Sequence, residues 1–232
     1  MLNNFRFLAV IPARGGSKSV PRKNIRPLNG RPLLAWTVDQ VKNVPEIDLV
    51  IVSTDDEEIT TVAKHENIDV IQRPSELATD TASTESALLH ALDVLESEGH
   101  ATFDYIIVLE PTSPLRKPET IQRCMRAIFE KNGKSLMTVI ETKNNIGRRE
   151  SGQFYPLNSG APRRRQERKS FFIESSTVYI ASVDYLKSTG SLVCENWLCE
   201  IVDDIEAIDI NNEMDFIIAE QFMKLDNTKS SI

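Results

Sequence analysis

Short hydrophobic runs alternate along the chain with segments in which apolar residues recur every three or four positions. The runs predict buried strands, and the spaced positions predict amphipathic helices. Strands are predicted at 5–11, 48–53, 69–71, 105–109, 135–140, 177–181 and 199–205. Helices are predicted at 32–41, 56–66, 84–97, 118–131 and 213–225. This alternation favours an α/β fold, in which a mostly parallel sheet carries helices on both faces.

The alternation stops between residues 142 and 170, where the sequence is polar and rich in Gly, Asn and Arg. A connection of that length without regular structure is unusual inside a compact domain. We therefore divide the chain into an α/β domain, at 1–141 and 171–232, and an insertion at 142–170. The insertion is expected to be a lid or an arm that contacts another subunit.

The composition narrows the classes of function. No apolar stretch approaches the roughly 20 residues of a membrane helix, and the short apolar run at the N-terminus is a poor secretion signal. The three cysteines are odd in number and form no CxxC pair, which predicts reduced thiols. We therefore expect a cytoplasmic protein with no membrane partner. The net charge of −7 argues against nucleic-acid binding, so a local basic patch is expected to bind a small anion.

Such a patch directly follows the first predicted strand, in the segment IPARGGSKSVPRKN at 11–24. Ligands of open α/β sheets bind outside the carboxyl ends of the strands. Gly15 and Gly16 let the backbone approach a ligand and turn its N–H groups towards an anion. The side chains available to phosphate oxygens are Arg14, Ser17, Lys18, Arg22 and Lys23. The segment matches neither GxxxxGKS/T nor GxGxxG. We interpret it as a polyphosphate site, with a solvated basic loop as the alternative.

Four ordered motifs extend this interpretation. They are IPARGGSKSVPRKNI at 11–25, RPSELATDTASTESALLHAL at 73–92, LEPTSPLR at 109–116 and AIDINNEMDF at 207–216. Together they resemble the motifs of cytidylyltransferases that activate nine-carbon keto sugar acids, the CMP-sialic acid synthetase family. The resemblance spans nearly the whole chain, and four motifs in order are far more specific than one.

The resemblance implies a Rossmann-like nucleotidyltransferase fold with a small dimerisation element, so a homodimer is expected. It implies transfer of CMP from CTP to the anomeric hydroxyl of a nine-carbon keto sugar acid, with release of pyrophosphate and with Mg²⁺ as cofactor. Both substrates are anions, so charge neutralisation and positioning are expected to carry the reaction. The residues indicate no dedicated general base.

The resemblance also assigns individual residues. CTP is expected to contact Arg14, Ser17, Lys18, Lys23, Asn24, Arg73, Ser83, Thr84 and Ser86. The sugar acid is expected to contact Glu110, Ser113, Arg165 and Gln166. Mg²⁺ is expected at Asp209 and Asn211, and the catalytic residues are expected to be Arg14, Lys18 and Asp209.

Three positions depart from the family pattern. Members usually have Gln where this chain has Glu110, and their metal motif is often D-x-D where this chain has Asp209-Ile210-Asn211. Asp215 or water is therefore an alternative second ligand. The late strand reads FFIESSTVYI at 171–180, where many members carry N-G-A. The sugar thus stays open among sialic-acid-like, legionaminic, pseudaminic and 3-deoxy-octulosonic acids. A catalytically impaired nucleotide-binding protein is the alternative from a different class.

Other reactive side chains have structural interpretations. Asp55 and Asp56 are expected to cap the next helix rather than bind a metal. His65, His90 and His100 lack the spacing of metal ligands.

The basic loop generates a first prediction. We expect Lys18→Ala to lower kcat by roughly 10²-fold or more, because Lys18 is expected to stabilise charge on the leaving pyrophosphate. Steady-state kinetics beside a thermal melt checks this, since the fold should be little affected. Unchanged turnover would remove Lys18 from this role.

Overall fold

A computed structural model describes residues 5–17 and 19–229 of the chain, and side chains up to residue 225. The strands are β1 (Phe7–Pro12), β2 (Pro27–Leu28), β3 (Arg31–Pro32), β4 (Leu49–Thr54), β5 (Asp69–Gln72), β6 (Tyr105–Val108), β7 (Ser135–Thr142), β8 (Gly147–Glu150), β9 (Gln153–Pro156), β10 (Phe171–Ser182) and β11 (Leu198–Ile201). The helices are α1 (Leu33–Lys42), α2 (Glu57–His65), α3 (Thr84–Ser97), α4 (Pro118–Glu130), α5 (Val183–Thr189) and α6 (Glu213–Lys229).

Seven strands form one sheet in the order β11-β7-β10-β6-β1-β4-β5. Strand β1 pairs in parallel with β4 on one side and with β6 on the other. Strand β10 is antiparallel to both of its neighbours, β6 and β7. The chain leaves β1 towards β4 and β5 and returns to the opposite side at β6, so the loops after β1 and β6 diverge. Such a switch point leaves a crevice at the carboxyl ends of the strands.

The sheet is buried on both faces, which explains why its central strands are continuous apolar runs. On β1, Phe7, Ala9 and Ile11 pack with α1, α2 and α4, whereas Leu8 and Val10 pack with α3 and α5. Helix α6 belongs to a third cluster, in which Phe216 packs with residues of the basic loop and of α1. The loops that follow β1 and β6 are therefore anchored on the hydrophobic core.

The predicted α/β class and mostly parallel sheet are confirmed. Strand β10, however, begins at Phe171, six residues before the predicted start. Its first half, FFIESS, is largely exposed but pairs with β7, from Phe171 opposite Thr142 onwards. The last strand ends at Ile201 rather than at 205, and α6 continues to Lys229. The short helix α5, capped by Ser182, and the hairpin of β2 and β3 were not predicted.

The segment between β7 and β10 also has regular structure that the sequence pattern did not predict. Strands β8 and β9 form an antiparallel hairpin. Its turn residues Ser151 and Gly152 have positive φ angles of 48° and 84°, as expected for a tight two-residue hairpin turn. Because Phe154 and Tyr155 on β9 are largely exposed, this hairpin buries little apolar surface. Its role as a dimerisation element stays a prediction.

Within the described part of the chain, the helices are too short or too polar to cross a bilayer.

Candidate active site

A cleft of about 390 Å³ opens at the carboxyl ends of the central strands. Its walls are the basic loop after β1, the segment that leads into α3 and the loop after β6. The predicted residues that line it are Arg14, Ser17, Lys23, Asn24, Arg73, Ser83, Thr84 and Glu110. The structure thus brings together most of the residues that the four motifs singled out, although these lie up to 96 positions apart (14 to 110) in the sequence.

The glycine turn is held by two aspartates after β4. The backbone N–H of Gly15 donates to Asp55 Oδ1 at 3.0 Å. A Cβ atom on Gly15 would lie 2.5 Å from Asp56 Oδ2, so a side chain has no room there. Asp56 also caps α2, accepting from the N–H groups of Glu58 and Ile59. Capping is therefore confirmed for Asp56, whereas Asp55 binds the glycine turn instead.

Arg22 corrects one expectation about the basic loop. Its guanidinium contacts Asp56 at 2.6 Å and Glu58 at 2.8 Å, and the hydrogen bond to Asp56 raises the pKa of Arg22 further above its ordinary value. The two ion pairs direct Arg22 towards α2. The expectation that Arg22 adds its charge to the phosphate site is therefore wrong.

Lys23 and Asn24 lie where the basic loop turns into a short 3-10 helix, Lys23–Ile25. Lys23 Nζ donates to the carbonyl of Ile210 at 2.8 Å. Burial lowers the pKa of Lys23, and the nearby carboxylates of Asp209 and Glu110 oppose that shift. Asn24 Nδ2 donates to the carbonyl of Arg14 at 2.9 Å and so fixes the loop.

The facing wall is anchored by Arg73. This side chain is buried and donates to the carbonyls of Ser53 at 2.9 Å and Leu77 at 3.3 Å. Burial lowers the pKa of Arg73. Further along this wall, Asp80 forms an ion pair with Arg14 at 3.0 Å across the cleft. In this structure the Arg14 guanidinium therefore has a carboxylate partner on the opposite wall.

Ser83 and Ser86 have different positions at the start of α3. Ser83 lines the cleft and caps the helix, accepting from the N–H of Ser86 at 3.1 Å. Ser86 Oγ donates back to the carbonyl of Ser83 at 2.7 Å and is not among the residues that line the cleft.

Glu110 lies two residues after the end of β6. Its environment disfavours the ionised form of its carboxyl group. Burial raises the pKa of Glu110, the neighbouring Asp209 raises it further, and Arg116 and Lys23 partly oppose the shift. The carboxyl group thus lies where cations of the basic loop meet the acidic segment around Asp209.

Arg116 is a structural residue of this site that sequence reasoning did not assign. Its guanidinium donates to the carbonyl of Glu110 at 2.7 Å, to Gln40 Oε1 at 3.0 Å and to the carbonyl of Thr177. The side chain is 2% exposed, and burial lowers the pKa of Arg116 to about 10. The available signal was its place in the LEPTSPLR motif, which by itself indicates no role.

Three of the residues predicted to contact the sugar lie outside the cleft. Ser113 is buried, with its Oγ 3.3 Å from that of Ser176. Arg165 and Gln166 are exposed on the 3-10 turn Arg165–Glu167 and are not among the residues that line the cleft.

Asp209 is the metal-ligand candidate with an available oxygen. Its Oδ2 accepts from Asn211 Nδ2 at 2.7 Å, whereas its Oδ1 is buried without a hydrogen-bond partner among the described residues. Asp215 Oδ2 accepts from the N–H groups of Asn211 and Asn212, and Asn212 Oδ1 accepts from the N–H of Asp215. This reciprocal pair is a capping box at the start of α6, which commits Asp215 to a structural contact.

Other acidic, histidine or cysteine side chains do not complete a metal centre. Among the described residues, no three of these side chains cluster as metal ligands. Asp209 and Asn211 would therefore hold a cation together with ligand or water oxygens. Mg²⁺ prefers oxygen ligands and usually keeps several waters, so an unpartnered carboxylate oxygen at Asp209 fits such an ion.

A second cavity, of about 280 Å³, adjoins Asp209. We call it the side cavity; it is lined by Ile140, Glu174, Ser175, Ser176, Tyr179, Ala207 and Asp209. Tyr179 OH donates to Glu174 Oε1 at 2.7 Å. The side cavity lies next to the cleft. Lys23 lines the cleft and donates a hydrogen bond to the carbonyl of Ile210, and the preceding residue, Asp209, lines the side cavity. Lys18, the expected catalytic lysine, lies outside the described residues.

Comparisons with known proteins show the family and the fold. A family model described as cytidylyltransferase matches residues 8–193. CMP-N,N'-diacetyllegionaminic acid synthase of Legionella pneumophila is 33% identical over 234 residues, which cover 95% of this chain and 97% of that protein. Post-translational flagellin modification protein B of Campylobacter coli is 30% identical over 228 residues, covering 96% of this chain and 97% of that protein.

A solved structure of CMP:2-keto-3-deoxy-manno-octonic acid synthetase in complex with CTP superposes with a TM-score of 0.72. The superposition covers 95% of this chain and 99% of that one at 14% sequence identity. At that identity the similarity shows a common fold.

The glycine turn offers a matched pair of substitutions. We expect Gly15→Ala to lower the free energy of unfolding by about 1–3 kcal/mol, because the new methyl group overlaps Asp56. Gly16→Ala should change it by less than about 0.5 kcal/mol, since a Cβ atom there meets nothing within 4 Å. Urea unfolding of both variants measures the difference, and equal stabilities would contradict the packing argument.

Proposed function

The chain belongs to the cytidylyltransferase family, and on that premise we propose that it transfers CMP from CTP to the anomeric hydroxyl of a nine-carbon keto sugar acid, releasing pyrophosphate. The observation that carries the proposal is the cleft at the switch point of the sheet, where the basic loop after β1 faces the loop after β6. Open α/β sheets bind their ligands at this place.

The nucleotide is proposed to occupy the cleft. Arg14, Lys18 and Lys23 supply positive charge to the triphosphate, and the N–H groups of the glycine turn and Ser17 supply neutral donors. Asn24 holds the loop through the carbonyl of Arg14. Arg73, Ser83 and Thr84 form the opposite wall, where the cytosine and ribose are proposed to bind.

The sugar acid is proposed to bind beyond Asp209, in the side cavity and beside Glu110. The named relatives favour a legionaminic-type acid, since one of them is a CMP-N,N'-diacetyllegionaminic acid synthase. The hydroxyl of Ser113 contacts that of Ser176, which lines the side cavity. Arg165 and Gln166 lie on the exposed segment between β9 and β10. They can contact the sugar acid only if this segment lies against a sugar-binding site.

Mg²⁺ is the proposed cofactor, held by Asp209 with Asn211 and by phosphate oxygens. When bound, the ion would offset the negative charge of the phosphates and orient them. Asn211 already orients Asp209 by donating to its Oδ2, which leaves the buried Oδ1 as the oxygen for the cation.

The reaction joins the anomeric oxygen of the sugar acid to the α-phosphorus of CTP and breaks the bond to pyrophosphate. Arg14 and Lys18 are proposed to stabilise the charge that develops on the leaving group. The buried Arg116 ties the loop of Glu110 to β10 by donating to the carbonyls of Glu110 and Thr177. This contact is proposed to fix the distance between the bound sugar acid and the bound nucleotide. Holding the two reactants in the reactive geometry supplies much of the rate enhancement in reactions that do not proceed through a covalent enzyme intermediate.

A homodimer in the cytoplasm completes the proposal. Large apolar side chains are exposed on the hairpin of β8 and β9, on the segment that follows it and at the start of β10: Phe154, Tyr155, Leu157, Phe172 and Ile173. Patches of this kind usually mark an interface. The three cysteines are free thiols, which is typical of a reducing compartment.

The enzymatic proposal is tested by pyrophosphate release. We expect release from CTP that requires both Mg²⁺ and the sugar acid, and we expect Asp209→Asn to lower kcat by roughly 10²-fold or more. Asp204→Asn, an exposed neighbour in the same segment, is the matched control. CTP affinity without pyrophosphate release would instead support a nucleotide-binding protein that has lost catalysis.

The dimer is tested at the exposed apolar residues. We expect Phe154→Asp with Phe172→Asp to dissociate the dimer at micromolar concentration, because a buried carboxylate without a partner costs several kcal/mol. Ile217→Asp, at an equally exposed apolar position on α6, should leave it intact. Light scattering after size exclusion gives the masses. A wild-type monomer, or equal behaviour of both variants, would refute this interface.

A further inference from the structure

The side cavity offers hydrogen-bond acceptors far more than donors. Glu174 and Asp209 are carboxylates, which accept hydrogen bonds and donate none when ionised. Tyr179 uses its single proton in the bond to Glu174, so its oxygen has only lone pairs left for a ligand. The Ser175 hydroxyl is engaged with Thr177 at 2.6 Å, and the Ser176 hydroxyl lies 3.3 Å from that of Ser113, so both hydroxyls already have a protein partner. Of the described residues that line this cavity, none is a lysine or an arginine.

The surroundings of Tyr179 report the same imbalance of charge. Its pKa is raised by burial, by the hydrogen bond to Glu174 and by the nearby carboxylates of Glu110 and Asp209. A ligand group that is anionic, or that presents only lone pairs, would be repelled here. A group that carries an N–H or O–H proton would be attracted.

The remaining lining adds a requirement for shape. Ile140 and Ala207 contribute apolar side chains to the same cavity. A small group with an N–H on one side and a methyl on the other would satisfy both kinds of wall, since the acceptors bind the proton and the apolar residues cover the methyl.

Because the proposed function places the sugar acid here, this inference rests on it. We propose that Glu174, held by Tyr179, is a specificity-determining residue that selects acceptors bearing an acylamino group, whose N–H donates to the Glu174 carboxylate. Glu174 acts on the choice of sugar and leaves the nucleotide side of the reaction unchanged.

The test compares the parent acceptor with two analogues, each of which has one N–H group replaced by an oxygen. The probes are N,N'-diacetyllegionaminic acid and its analogues in which each acetamido group in turn is replaced by an O-acetyl ester, which keeps the shape but lacks the N–H. We expect wild-type enzyme to prefer the parent acid over one of the esters by about 10- to 100-fold in kcat/KM, as for a hydrogen bond to a charged group. Glu174→Gln should reduce that preference to a fewfold, because its amide can donate to the ester.

Two further variants keep the result interpretable. Tyr179→Phe frees Glu174 without removing its charge and should retain the preference for the acetamido group. Glu130→Gln, an exposed acid at the end of α4, should change nothing. The KM for CTP and the melting temperature of Glu174→Gln are expected to match the wild type, which separates a changed sugar choice from a damaged fold.

The outcomes distinguish the two proposals. Pyrophosphate release with none of the acids would refute the proposed function. Release at equal rates from the parent acid and all its esters would refute the role of Glu174 while the function stands. An equal loss for every acceptor in Glu174→Gln, with the preference unchanged, would also overturn the inference, since it indicates a structural role alone.

Discussion

The buried guanidinium of Arg116 is the contact on which the geometry of the site depends. It joins three elements that are distant in the sequence: α1 through Gln40, the loop after β6 through Glu110, and β10 through Thr177. A buried cation is costly unless it is hydrogen-bonded and faces opposite charge. The carboxylates of Glu110, Glu206 and Asp209 favour the charged form of Arg116 and offset part of that cost. Two of these acids line the cavities of the site, Glu110 the cleft and Asp209 the side cavity, so the network that stabilises Arg116 includes residues of the site.

This network divides the site into two environments. On the nucleotide side the basic loop provides cations and backbone donors, and Arg73 holds the opposite wall. On the other side Glu174, Tyr179 and Asp209 provide acceptors. Asp209 lies at the boundary, with one oxygen oriented by Asn211 and the other without a partner. The two environments thus favour different ligand groups, anionic groups beside the basic loop and hydrogen-bond donors beside Glu174.

The sequence predicted most of the fold and of the cleft, for reasons that are local. Central strands such as β1 and β6 are apolar on both faces, and the charged loop stands directly after one of them. The first half of β10 could not be predicted in this way, because its residues, mostly exposed and without an alternating pattern, become a strand only by pairing with β7. Arg22 was misassigned because sequence shows its charge but not its two acidic partners on α2. Arg116 was overlooked because its role consists of contacts with residues up to 76 positions away.

The ion pair between Arg14 and Asp80 spans the cleft at 3.0 Å. The pair is partly exposed, with side-chain exposed fractions of 36% for Arg14 and 44% for Asp80, so water screens it. A phosphate oxygen that takes the place of the Asp80 carboxylate exchanges one ion pair for another. The net contribution of Arg14 to the binding of an anion is therefore a difference between two ion pairs, and it depends on Asp80 as well as on Arg14.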